Sequence, residues 1–532
     1  MAKPASVFLR DATGLIREIG PFDALILSLG FIVGPTFIVI FTGEWSLFPG
    51  VSVASSFLLM GALAAVHGYF YLQISSVLPR SASGGYVSLS RMVSPALGLG
   101  MSFIFVVAMI FNLGYIGSIA VPVGIAGPLT SYAAVTHNTG LASLASSLST
   151  TTSGFITGSL LIIFVAIVAI TGTKNILRAN RVFFILGTLA FLTLVGMLLV
   201  VSQGQFTTAF NNYAGANAYQ STISAATAAG RIVPQNLIIP TLLSLPLSWF
   251  SLNGYQSSTY YSGEMKRVSR TMVAAIVGSI IYGAGLFALV AFLAERAFGS
   301  SFVQSISYLY GLGGSNYLLS VPPYLNTLLV IVNSNLYLNV LIMLGIIGWA
   351  YLIATNFIFV SSRHFLAWSF DRVFPSQLGR VSDRFHSPLL AIVVIAVISE
   401  IALIFYIIEP AYLGAVNLTY LFLPAILLDG FSGVFLVWRR KDLFASAPAI
   451  ARRKLGTVPM IAITGLYSVI FIGILLAAAL DNPAVGGPLG TITVATVVGS
   501  FILGLVSYFG MKAYHKRHGL DISVVFKEIP PE

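Results

Sequence analysis

Two stretches of this 532-residue sequence place glycine, proline and polar side chains inside otherwise apolar runs. The first reads Ser28-Leu29-Gly30-Phe31-Ile32-Val33-Gly34-Pro35-Thr36. Pro35 lacks an N–H and disfavours helical geometry at Gly34, and the two glycines lower the cost of unwinding. The second reads Trp249-Phe250-Ser251-Leu252-Asn253-Gly254-Tyr255-Gln256-Ser257-Ser258-Thr259. Irregular backbone at membrane depth survives only where protein or a water-filled cavity satisfies it. A pair of interrupted segments at corresponding places in two halves of a chain points to a transporter binding site. For the first stretch alone, a Gly-x-x-x-Gly packing face with a kink at Pro35 is the competing reading. The matching break in the second stretch favours the binding site.

Ionisable groups inside spans are expensive and are functional candidates by default. They are His67, Glu400 and Asp429, with Asp23 near the edge of the first run. His67 also fits a neutral, hydrogen-bonded packing residue. Glu400 reads as interfacial or protonated. Asp429 lies about 15 Å along a helix axis from Arg439, too far for snorkelling by either side chain. It is the leading candidate for a proton relay, with His67 beside it. No GxxxxGK[ST] loop, HExxH pair or cysteine is present, so no enzyme chemistry, metal site or cofactor is expected. Without a nucleotide engine, an ion gradient is the expected driving force.

The elements that must hold these residues follow from composition. Hydrophobic residues make up 57% and charged residues 8%, with a mean hydropathy of +0.93. A soluble domain carries about 25% charged residues. Apolar runs bounded by charge or by Gly/Pro clusters predict twelve membrane helices, since a span needs roughly 20 apolar residues. Their expected limits are 22–43, 50–78, 96–127, 155–172, 181–202, 237–262, 271–295, 336–370, 388–408, 411–438, 459–480 and 489–511. The third and eighth are too long for simple spans and must tilt or extend beyond the bilayer.

With the N-terminus taken as cytoplasmic, this count puts 25 of the 27 Lys and Arg on one side, all but Arg231 and Arg296. That is the positive-inside pattern. It accounts for the net charge of +11 without nucleic acid. It also makes Tyr317–Val332, which holds Pro322-Pro323, an external and partly helical loop. Treated as a span, that run would invert every later loop. No cleavable leader is expected ahead of the first span, and both termini are expected in the cytoplasm.

Three further segments carry a family resemblance. They are Leu78-Pro79-Arg80-Ser81-Ala82-Ser83-Gly84-Gly85-Tyr86, then Phe250 to Tyr255 followed by Gly263-Glu264-Met265-Lys266, and Ser362-Arg363 through Asp371 and Pro375 to Arg384 and Pro388. In order and spacing the chain resembles the amino acid–polyamine–organocation transporters. The resemblance implies the leucine-transporter fold, an all-α polytopic architecture of twelve helices. Its first inverted repeat would cover 22–202 and its second 237–438, joined by an extracellular loop at 203–236. Residues 439–511 would add two helices after a cytoplasmic loop. Residues 1–21 and 512–532 would be cytoplasmic tails.

It further implies that backbone N–H groups across Gly30, Phe31, Ile32, Val33 and Gly34 hold a substrate carboxylate. Carbonyls around Phe250, Ser251, Asn253 and Gly254 would receive the ammonium. Phe250 matches the gating aromatic, and Asn112 falls where relatives place a polar contact. Three departures bear on coupling. Gln256 stands where many relatives have an acid, Val182–Val201 lacks the lysine of some proton-coupled relatives, and the hydroxyls Thr355, Ser361 and Ser362 are the available sodium ligands.

The expected function is a secondary amino acid transporter of the cytoplasmic membrane, with protons ahead of sodium as coupling ion. The expected partners are a small amino acid and the lipid bilayer. A polyamine or organic-cation carrier, an amino acid exchanger, and a membrane sensor or channel are the alternatives. A cation site would want a carboxylate near the breaks, and a channel would want polar rings.

Overall fold

The computed structural model describes residues 14–79, 84–232, 237–408, 418–482, 485 and 490–528. Arg80 to Ser83, part of the first resemblance segment, and the start of the tenth expected span lie outside them. The first expected span is two helices, α1 (Pro21–Ile32) and α2 (Thr36–Leu47), bent by 42° at the break. There follow α3 (Val53–Val77), α4 (Gly84–Met92) and α5 (Pro95–Val121). A π turn over Pro122–Ala126 carries α5 into α6 (Gly127–Thr136), so the third span does run on, to 42 residues. Next come α7 (Thr139–Leu148), α8 (Thr151–Ile170), α9 (Thr173–Val200), α10 (Gln203–Ala214) and α11 (Ala218–Ala228).

The second half opens with α12 (Ile238–Leu243) and α13 (Leu245–Leu252), then a 3-10 segment over Tyr255–Glu264 that is kinked at Tyr261. It continues through α14 (Val268–Phe298), α15 (Ser300–Leu312), α16 (Leu325–Val332), α17 (Leu336–Phe370) and α18 (Leu389–Ile408). The chain closes with α19 (Leu418–Leu427), α20 (Asp429–Arg439), α21 (Lys441–Ser446), α22 (Ala449–Arg452), α23 (Met460–Asp481) and α24 (Thr491–Arg517). A two-residue hairpin, Lys454–Leu455 with Val458–Pro459, precedes α23.

Among the described residues ten helices are long and apolar enough to span a bilayer, and the bent α1–α2 pair makes eleven. The protein is therefore an all-α polytopic membrane protein. The sixth expected span is not one continuous helix. Ser244-Leu245-Pro246 and Asn253-Gly254 divide it into pieces of 6, 8 and 10 residues, so it is a broken segment, which is why it does not count among the long helices. The run expected as a partly helical loop holds only the eight residues of α16, too short to span.

Both halves share one apolar core. α14 packs along α3 and α1, and α17 packs along α9 and α5. One end of the bundle gathers the cationic loops and is tied by ion pairs. Arg181 on α9 grips Asp23 at 2.7 and 2.8 Å. Arg363 on α17 grips Glu264 at 2.7 and 2.9 Å, and Thr173 donates to the same carboxylate. Arg91 on α4 bonds both oxygens of Asp371, which also accepts from Tyr86. At the opposite end Phe37, Phe41, Phe57 and Phe287 pack together, with Trp45 edge-on to Phe41. There Arg231 donates to the carbonyls of Trp45 and Ser46, which end α2.

Candidate substrate site at two helix breaks

α1 stops where the sequence requires it. Val33 is extended (φ −97°, ψ 111°), and a new helix starts only after Pro35. In the sixth segment α13 ends at Leu252, Asn253 is extended (φ −61°, ψ 126°), and Gly254 sits at φ +134°. A side chain at Gly254 would be strained by that φ and would run into Phe31. The two breaks are therefore in direct contact, and Gly254 is required by the closeness of Phe31.

Gln256 holds the second break open. Its amide donates to Asn253 Oδ1 at 2.7 Å, and its carbonyl oxygen accepts from the Gly254 N–H at 3.2 Å. An ionised carboxylate in its place could accept but not donate. The glutamine where relatives carry an acid is thus a backbone clamp in this chain.

The third wall is α17. A Cβ on Gly30 would strike Asn356 Nδ2 and come within 3.2 Å of the Leu352 carbonyl, and one on Gly34 would meet Ile353 at 3.2 Å. Asn356 donates to Leu352 O at 2.9 Å, while its Oδ1 is buried without a partner among the described residues. Ser251 Oγ, Ser258 Oγ and Asn112 Oδ1 are buried in the same unpaired way. Unpaired buried acceptors and hydroxyls at a break are what a polar ligand would satisfy. Asn356 is a site residue that sequence reasoning passed over. Its signal was a lone carboxamide in a long apolar run.

The other expected residues sort by direction. Phe31 packs edge-on against Phe357 at 5.3 Å. Ile32 turns to Gly283 on α14, so only its backbone faces the break. Val33 is fully buried. Phe250 is half-buried with its ring 6.2 Å from Phe422 on α19. Asn112 lies on the stripe of α5 that carries Phe105, two turns earlier, and Phe105 also touches Phe422.

Thr355 is not brought to the breaks. Its hydroxyl donates back to Tyr351 O at 2.8 Å, and the Tyr351 ring lies against Phe164 and Phe183 on α8 and α9. The face of α17 that meets α1 carries Leu352, Ile353, Asn356 and Phe357 instead. At 100° per residue Thr355 points away from it. Ser362 Oγ is spent on Phe359 O and on Arg363.

His67 and Asp429 fall on one chain of groups. Tyr255, the first residue after the second break, meets His67 Nδ1 through its hydroxyl at 2.5 Å. The His67 ring packs edge-on against Tyr71 at 5.0 Å, and Tyr71 donates to Asp429 Oδ2 at 2.9 Å. Asp429 presses on Gly85, where a Cβ would come within 2.6 Å of its carboxylate. A small cavity beside it is lined by Ser102, Phe105, Tyr260 and His364. Glu400 stands apart, half-buried between α18 and α8, accepting from Ser159 at 2.7 Å.

The resemblance segments resolve into contacts as well. Glu264 and Arg363 are one buried pair, and Asp371 takes Arg91 as its partner. Lys266 joins through its backbone, donating to Ile19 O at 3.1 Å.

No curated protein matches the chain. A family model described as amino acid permease matches residues 19–505. With nearly its whole length covered, the chain belongs to the amino acid permease family, within the amino acid–polyamine–organocation superfamily.

Proposed function

We propose that this permease is a secondary transporter that moves amino acids across the cytoplasmic membrane by alternating access around the two breaks. The observation that carries this reading is the contact between them, Gly254 against Phe31, walled by Asn356. The start of α2 offers amides to a carboxylate, as helix N-termini do. The carbonyl end of α13 offers acceptors to an ammonium. Asp and Glu are absent from the stretches 24–36 and 245–260, which favours a zwitterion over a polyamine or organic cation. In this reading the chain has the leucine-transporter fold, with inverted repeats at 22–202 and 237–438 and both termini cytoplasmic. Phe250 is the gate over the bound substrate. Asn112, Asn253 and Asn356 set side-chain preference, because a site built to hydrogen-bond rejects partners that leave it unpaired.

Asp429 and His67 are the proton-coupling groups in this reading. The hydrogen bonds pair Tyr255 with His67 and Tyr71 with Asp429, and the two pairs meet at the edge contact of the His67 and Tyr71 rings. Of the three hydroxyls expected for sodium, Thr355 faces away and Ser362 is already bonded, which leaves Ser361 alone.

A thermal-shift screen of the twenty amino acids identifies the substrate. Uptake and counterflow in proteoliposomes under imposed pH or sodium gradients then test the mechanism. Saturable counterflow is expected, and current without counterflow overturns transport in favour of a channel. Stimulation by sodium at fixed pH overturns the choice of ion. Phe250→Ala is expected to reduce uptake far more than it lowers the melting temperature. Wild-type uptake in that variant removes the gate.

A further inference from the structure

A second carboxyl lies on the other side of the breaks. Glu44 is on α2, eight residues past Thr36, about 12 Å along the helix from the break. It is fully buried. Ser248 on α13 donates to its Oε1 at 2.8 Å and Ser56 on α3 donates to its Oε2 at 3.2 Å. The two serine hydroxyls also touch each other. One carboxyl thus joins the halves of both broken segments that lie toward the end opposite the cationic loops.

No cation among the described residues neutralises it. α3, α12, α13, α15 and α16 contain no Asp, Glu, Lys or Arg. Their only titratable side chains are His67, Tyr69 and Tyr71 on α3 and Tyr308 and Tyr310 on α15. His67 is eleven residues beyond Ser56, about 16 Å along α3. From α14 the nearest charged group is another acid, Glu295, which accepts from Trp45 Nε1 at 2.9 Å. Arg296 turns to the carbonyls of Leu198, Leu199 and Val201. Arg231 is spent on the Trp45 and Ser46 carbonyls and on Gln304, with its guanidinium over Tyr308. A buried carboxylate without a cation is costly even when hydroxyls solvate it. The same group in its acid form suits the cage, because a carboxylic acid can donate into the linked serines.

We propose that Glu44 is a proton-binding site, and that loss of its proton opens the end of the bundle opposite the cationic loops. An ionised Glu44 needs water, and water reaches it only if α2 and α13 separate from α3. The proton leaves to, and returns from, the aqueous phase on that side. Ionisation and opening are then one event, and rebinding the proton reseals the serine cage. This deepens the coupling proposed above and, for its role in transport, rests on that reading. The titration itself does not.

Two measurements on the purified full chain test it without requiring transport. In infrared difference spectra across a pH titration, the wild type is expected to show a carbonyl-stretch band of a protonated carboxylic acid that is lost in Glu44→Gln. Ser248→Ala, which removes one of the two serine bonds to the carboxyl, is expected to shift that band and leave it present. A band unchanged in both variants overturns the proposal. The second measurement uses the absence of native cysteine. Ala291→Cys places a thiol on α14, one turn from Glu295, where the alanine is fully buried. Its labelling by a water-soluble maleimide, normalised to the unfolded chain at each pH, is expected to rise with pH. Adding Glu44→Gln is expected to remove that rise, and an undiminished rise overturns the proposal. Failure of amino acid uptake in wild-type proteoliposomes would instead sink the transport reading, while both titrations would still decide the state of Glu44.

Discussion

The two ends of the bundle are closed by different physics. At the cationic end the closing contacts are charge pairs in bidentate geometry, Arg363 with Glu264, Arg91 with Asp371 and Arg181 with Asp23. At the opposite end they are packed aromatic rings, an uncompensated carboxyl among serines, and an arginine aimed at backbone carbonyls. Arg231 is held below its ordinary range, at about 10, by burial, and so is still a cation at neutral pH. The difference teaches that one end has locks with defined partners, which either hold or fail. The other end has a seal whose strength depends on proton and water content. Breaking a lock leaves a buried charge, whereas loosening the seal exposes mostly apolar surface and hydroxyls.

The comparison is broken most directly at the first lock. Arg363→Met leaves Glu264 buried without its cation and should cost about 3–5 kcal/mol, read as a fall in melting temperature. Adding Glu264→Gln should recover most of that loss, and a double variant no better than the single one would show that packing, not charge, closes this end. Next in size is the junction between the ends. Gly254→Ala forces a side chain into a positive φ against Phe31, costing about 1–3 kcal/mol, and should abolish uptake while the variant still folds. At the opposite end Arg231→Ala removes the charge that caps α2 and should cost about 1–2 kcal/mol. A loss as large as that of Arg363→Met would erase the distinction between lock and seal. The smallest effect expected is that of Gln256→Glu at a pH low enough to keep the buried carboxyl neutral, which weakens the bond to Asn253 and should cost about 1 kcal/mol, with uptake falling more than stability. Raising the pH should add the cost of an uncompensated buried charge.

The spans were legible because hydropathy and the distribution of Lys and Arg act over whole segments, and ten of the twelve were met by long helices. Both breaks were legible because proline and glycine act locally, at Gly34-Pro35 and at Asn253-Gly254. What escaped was whatever depends on a distant partner or on rotation about a helix axis. Glu44 lies one residue past the point where the first apolar run was cut, and its serines are 12 and 204 residues away. Arg91 and Asp371 are 280 residues apart. Thr355 and Asn356 are neighbours in sequence, yet only Asn356 faces α1, a distinction set by which neighbour α17 packs against.

The unbroken length of α17 has a mechanical consequence. Asn356, which leans on Gly30, and Arg363, which grips Glu264, are seven residues apart and so lie on one face of a 35-residue rod. Glu264 ends the same 3-10 segment that begins beside Gly254, and Gly254 rests on Phe31. The contacts close a ring: Gly30 to Asn356, along the rod to Arg363, across to Glu264, back through the 3-10 turns to Gly254, and onto Phe31 next to the starting point. A wedge driven between α1 and α17 at the break acts on the arginine as well, because one continuous helix joins the two points about 10 Å apart. The ring works as a clasp whose hinge is the pair of helix breaks and whose catch is the buried ion pair.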